Sequence, residues 1–233
     1  MRRDPANEDY RFDYGNSLLQ HGKLEPAIAA YRAAVSDMPK SAKLRIGLGS
    51  ACYLSGDYQC AAEELLEAIK LKPDSAAAYF LLGEAYDSAE RFQPSIQAAL
   101  DAYLKNKPHD AWAYYHHGAI LFARAQGGGS NDYQGAVASL KEALRLNPRF
   151  AEAHLQLGLI ALAQGEVEEG IRALEKAVAL DTGLAAAHYR LGLAYQKAGK
   201  TARGKEELDR FRALKSDNRY RGRILESLGA MGR

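Results

Sequence analysis

Six glycines stand at Gly15, Gly49, Gly83, Gly118, Gly158 and Gly192, spaced by 34, 34, 35, 40 and 34 residues, and a chain with that rhythm folds as a tandem array. Three further columns keep the same step. One is Ala27, Ala61, Ser95, Ala136, Gly170 and Gly204; the next is Ala34, Ala68, Ala102, Ala143, Ala177 and Phe211. The last is Pro39, Pro73, Pro108 and Pro148, continued by Thr182 and Ser216. A period near 34 residues holds two helices of about 14 residues, each about 21 Å long, joined by short turns.

Each column has a steric reason. Glycine inside a helix costs about 0.5–1 kcal/mol relative to Ala, so its return at one phase of the first helix marks a place where another helix approaches too closely for a side chain. The Ala, Ser and Gly column supplies the facing surface on the second helix, because tight crossings need small residues at the contact. Proline falls where the second helix must stop, since it lacks the N–H and clashes with the preceding turn. Residues such as Asp74 and Ser75 can then cap the next helix.

Composition fits a folded array: 47% of residues are hydrophobic and 26% charged, enough apolar surface to bury a core. The net charge of +2 is too even to name nucleic acid or an anionic membrane as the partner. No apolar stretch approaches the roughly 18 residues of a membrane span, and Met1-Arg2-Arg3 is followed by Asp4-Pro5 where a signal peptide would have its apolar core. The expectation is no membrane insertion and a cytoplasmic location by default, with the periplasm or secretion open if a leader was trimmed.

The phrases YFLLGEAY (Tyr79 to Tyr86), AVASLKEALRLNP (Ala136 to Pro148) and HYRLGLAY (His188 to Tyr195) resemble the tetratricopeptide repeat (TPR) family. The resemblance implies an all-α fold, an α-α superhelix built as a right-handed solenoid of antiparallel helix pairs. It covers residues 8–217 as six repeats, 8–41, 42–75, 76–110, 111–150, 151–184 and 185–217, followed by a C-terminal capping helix over 218–233. Tyr220, Ile224, Leu228 and Met231 share one face of that last helix, which suits the cap a repeat array requires. The first-helix position usually held by Trp carries Arg11, Arg45, Tyr79, Tyr114, His154 and His188 instead.

Two irregularities interrupt the pattern. Six extra residues fall at the fourth turn, Ala125 to Asp132, where three consecutive glycines read as a flexible surface loop; no Lys-Ser/Thr pair follows, so it is not a phosphate cradle. At the start, Pro5 precedes Pro39 by 34 residues, so residues 1–7 read either as the tail of an upstream repeat or as a simple N-cap.

No catalytic, metal or cofactor residues are expected. His116 and His117 are adjacent and point about 100° apart on a helix, His154 and His188 share one packing phase, and no HExxH, GxSxG, Walker or CxxC pattern occurs. Cys52 and Cys60 bracket the Gly56-Asp57 turn symmetrically, so a disulfide is within reach, but two small buried thiols are the expected state.

In the family the first helices line a concave groove, and carrying those phases over nominates Phe12, Asn16, Ile46, Tyr53, Phe80, Glu84, Asp87, Trp112, Tyr115, Phe122, Leu155, Leu159 and Tyr189. Of the Lys, Asn and Arg residues that clamp a C-terminal carboxylate in some members, Asn16 alone matches, so no such clamp is expected. The resemblance thus implies a non-enzymatic scaffold or adaptor that binds an apolar peptide or helix, with the groove centred on repeats three to five. The alternative is a structural or self-association segment of a larger multidomain protein. Residues 197–233 carry eleven Lys or Arg against five Asp or Glu, but without interleaved exposed aromatics nucleic acid is not expected.

Overall fold

The computed structural model describes residues 7–127 and 133–214, together with Leu225 and Leu228. Among the described residues it contains twelve α-helices and one short 3-10 turn, and no strand. The helices form six consecutive pairs: α1 (Glu8–Gln20) with α2 (Leu24–Asp37), α3 (Ala42–Ser55) with α4 (Tyr58–Leu71), α5 (Ala76–Ala85) with α6 (Gln93–Asn106), α7 (Ala111–Gly127) with α8 (Gln134–Leu146), α9 (Ala151–Ala163) with α10 (Val167–Leu180), and α11 (Ala185–Lys197) with α12 (Thr201–Leu214). The fold class expected from the sequence, all-α with antiparallel pairs, is the one found. The chain divides into two compact units, Met1–Pro108 with Asn218–Arg233, and His109–Asp217. Leu228, from the terminal segment grouped with the first unit, is buried. Residues 1–6 of the expected tail over 1–7 and most of the capping helix lie outside the described residues.

Helix ends follow local chemistry. Asn7 accepts hydrogen bonds from the Asp9 and Tyr10 amides, and Ser41 and Asp57 do the same for Leu44 and Cys60, satisfying amides that no helical carbonyl can reach. Gly56 closes α3 with φ +85°, in the left-handed region where a Cβ would be strained. The second helices α2, α4, α6 and α8 end two residues before their prolines, and α10 ends at the same distance from Thr182. The stop therefore survives the loss of proline, because the Asp181 amide still donates back to the Ala177 carbonyl at 3.0 Å.

The glycine column is a contact surface. A Cβ on Gly49, Gly118, Gly158 or Gly192 would lie 2.7–2.8 Å from Cγ of Leu65, Leu140, Leu174 or Leu208, and 3.1–3.3 Å from the carbonyl oxygen of Ala61, Ala136, Gly170 or Gly204. Small residues meet small residues there, and a leucine one turn on seals the crossing. In the first pair the space beside Gly15 is taken by the buried ring of Tyr31, which also fills the place of a Gly47 side chain.

The third pair departs from the expected columns. Ser95 and Ala102 are exposed, while Ile96, Leu100 and Tyr103 one position on are buried. Ile96 and Tyr103 keep the spacing to Pro108 that Ala27 and Ala34 keep to Pro39, so the cause is one extra residue between Gly83 and Ile96, in the turn before α6, which moves the inward face of that helix along by one. Tyr103 then stands where the other pairs have Ala and stacks on Tyr79 with ring centroids 4.0 Å apart. The same pair has a short α5 and a 3-10 turn, Glu90–Phe92, before α6.

Two further expectations are corrected. Helix α7 continues through Gly127, so the expected loop from Ala125 begins later, and its core at 128–132 lies outside the described residues. Cys52 and Cys60 are joined as a disulfide, not left as two thiols: their Cα atoms are 5.8 Å apart across the Gly56-Asp57 turn. Facing positions at the closed end of a helix pair are close enough to bond.

Candidate functional site

Of the nominated groove residues in the first unit, Phe12, Asn16 and Ile46 are buried between helices. Phe12 packs its ring 6.0 Å from that of Tyr31, whose hydroxyl donates to the Phe12 carbonyl, while Lys43 sits 4.7 Å over the Phe12 ring. Tyr53, Phe80 and Glu84 are half-buried and Asp87 is exposed; Tyr53 meets Tyr58 edge-on at 5.3 Å.

In the second unit Tyr115, Phe122 and Leu155 are largely buried, Trp112 and Leu159 half-buried, and Tyr189 exposed. Trp112 belongs to an aromatic cluster, 4.5 Å from Phe150 and edge-on to Tyr115 at 5.6 Å. His116 stacks against Trp112 inside that cluster, and burial pushes its pKa down to about 3, so the ring is neutral.

The structure brings a subset of these residues together on the first helices of the second unit. A cleft of about 360 Å³ runs across α7, α9 and α11, lined by Phe122 and Gln126 from the first, Leu159, Leu162 and Ala163 from the second, and Arg190, Leu193, Ala194 and Lys197 from the third. Successive first helices pack side by side, and the Gly118, Gly158 and Gly192 crossings hold each against its second helix. Leu193 is 38% exposed, a large apolar side chain left in water at the cleft wall. Its charged lining is cationic only, Arg190 and Lys197, with the Arg190 guanidinium 5.7 Å over the Tyr189 ring. Sequence phases found Phe122 and Leu159 but not Gln126, Arg190 or Lys197. The signal available was the polar character of those positions, Gln126 and Lys197 in the last turns of α7 and α11 and Arg190 midway along α11.

Among the described residues no group of three or more His, Cys, Asp or Glu could hold a metal ion, and no helix is long and apolar enough to cross a membrane.

Tetratricopeptide repeat patterns match residues 2–42, 49–87, 128–185 and 186–214. In sequence the chain is 28% identical over 156 residues to the BBSome complex member bbs-4 of Caenorhabditis elegans, a match spanning 64% of this chain and 32% of that protein. The chain thus corresponds to about a third of that relative's length. In structure it is similar to Cut9–Hcn1 of an APC/C hetero-tetramer, with a TM-score of 0.73 and 18% identity over 97% of this chain and 44% of the other. A thermophilic TPR protein of Thermus thermophilus gives a TM-score of 0.66 and 22% identity over 81% of this chain and 99% of that one.

Proposed function

Because this chain belongs to the tetratricopeptide repeat family, a helical-repeat fold typical of protein–protein interaction, we propose that its second unit is an adaptor surface that takes the apolar face of a partner peptide or helix in the α7–α9–α11 cleft. The observation that carries the reading is Leu193, left 38% exposed beside Leu159 and Leu162 in a cleft with a cationic rim. Burying one such leucine contributes about 1.5–3 kcal/mol, and Arg190 and Lys197 favour a peptide with acidic residues beside its apolar stripe. Nothing in the lining has the Lys and Asn pattern of a carboxylate clamp.

Peptide display against the full chain tests this. Selected sequences should carry apolar residues at helical i, i+4 spacing, and Leu193→Glu or Leu159→Glu should weaken the selected peptide by about tenfold or more, a loss of about 1.4 kcal/mol. Equal binding by both variants, in a chain that stays folded, would assign the interaction to another surface and overturn the reading.

A further inference from the structure

The repeats can be compared with one another at a second place, where the first helix meets the loop before it. In the second pair Arg45 donates through Nε to the Pro39 carbonyl at 3.1 Å and through a terminal nitrogen to the Glu64 carboxylate at 2.6 Å. In the sixth pair His188 does the same work: Nε2 lies 2.9 Å from the Thr182 carbonyl and Nδ1 lies 2.5 Å from the Glu207 carboxylate. Glu64 and Glu207 occupy one phase, three residues beyond Ala61 and Gly204.

The fifth pair keeps the histidine of this arrangement and lacks the carboxylate. Its first-helix residue is His154, and the position of the glutamate holds Ala173. His154 is 8% exposed; its Nε2, the counterpart of the loop-facing nitrogen of His188, is buried without a hydrogen-bond partner among the described residues. With Ala173 opposite, no carboxylate among the described residues meets Nδ1, the counterpart of the nitrogen that Glu207 engages. Around it opens a cleft of about 440 Å³, formed by α8, α9 and α10, whose walls include both His154 and Ala173.

The charged groups on this cleft are Lys141, Lys176, Arg172, Glu166 and Glu169. Arg172 is paired with Glu169, whereas Lys141 and Lys176 have no ion-pair partner among the described residues. Burial, and then Lys176, hold the His154 ring toward its neutral form, against the Pro148 carbonyl, which favours the charged one. A carboxylate placed beside it would offset both effects and meet the two free ammonium groups.

We infer that this cleft is a carboxylate-binding site, in which an acidic group of a ligand occupies the place that Glu64 and Glu207 fill in their own helix pairs. It lies on other helix faces than the α7–α9–α11 cleft and stands independently of it. The carboxylate can come from an acidic side chain of a partner protein or from a small carboxylic acid, and the two sources differ in how tightly they bind.

The test is NMR of the histidine ring carbons in the full chain, titrated with N-acetylglutamate and, separately, with a glutamate-rich helical peptide. The His154 signal should shift saturably while His116 and His188 stay fixed, and Leu193→Glu should leave this response intact. A Lys141→Ala/Lys176→Ala variant, altered only at exposed side chains, should weaken the response about fivefold or more. Ala173→Glu should abolish it, move the His154 titration upward before any ligand is added, and leave the chain at least as heat-stable. Peptide binding far tighter than N-acetylglutamate marks a protein side chain as the source, and comparable binding marks a small acid. No saturable shift with either probe, or an equal shift with N-acetylglutamine or inorganic phosphate, would overturn the inference.

Discussion

Leu174 occupies the space that a side chain on Gly158 would need: a Cβ there would lie 2.8 Å from Leu174 Cγ and 3.1 Å from the Gly170 carbonyl oxygen. Gly158→Ala should therefore destabilise the fold even though alanine is the better helix former. Overpacking costs about 1–3 kcal/mol against a propensity gain of about 0.5–1 kcal/mol. Net loss of about 1–2 kcal/mol in urea unfolding is expected. A neutral or stabilising Gly158→Ala would show that the crossing can open without penalty.

That relationship was legible in the sequence because a contact with no room for Cβ admits one residue type, and the type repeats. The inward face of α6 was not legible in the same way. Ser95 and Ala102 fit the small-residue column by identity, yet the extra residue in the turn before α6 turns them outward, and helix rotation leaves no mark when both candidate faces look plausible. The prediction that follows compares two alanines. Ala102 is exposed and Ala143 fully buried, so Ala102→Leu should change stability by no more than about 0.5 kcal/mol, while Ala143→Leu should cost about 1–3 kcal/mol. Similar losses at both positions would restore the original column.

The candidate cleft was half legible. Phase placed Phe122 and Leu159 on the right face, but Phe12, Ile46 and Leu155, in an earlier column of the same expected face, are buried between helices. Which positions of the expected face remain open depends on the distance between neighbouring first helices, and Gly47, which lets Tyr31 in, brings α1 and α3 close at the start of the chain. Periodicity alone does not carry such distances.

The Cys52–Cys60 bond closes a loop of 8 residues in sequence separation around the α3–α4 turn. Loop-closure entropy for so short a ring gives about 2–3 kcal/mol of stabilisation. Adding reductant, or Cys52→Ala/Cys60→Ala, should lower stability by that amount, and reductant should have no further effect on the double variant. Free-thiol labelling of the unfolded chain without reductant checks the premise: two reactive thiols per chain would refute it.

His116 carries the clearest pH dependence. In the folded chain its pKa is pushed down to about 3 by burial, against an ordinary value of 6.5. Between those values the unfolded chain binds a proton at this ring and the folded chain does not, so stability rises with pH across that window and is lost as pH falls through it. The share of this one group approaches about 1.4 kcal/mol per pH unit below 6.5. His154, whose pKa is also lowered, contributes in the same direction. His116→Phe keeps a ring against Trp112 and Tyr115 while removing the titration. Denaturation followed by Trp112, the chain's single tryptophan, should give a shallower acid limb for that variant than for the parent. Parallel limbs from pH 6.5 to 4 would mean that the folded chain protonates His116 as readily as the unfolded one, and the neutral, stacked ring would have to be abandoned.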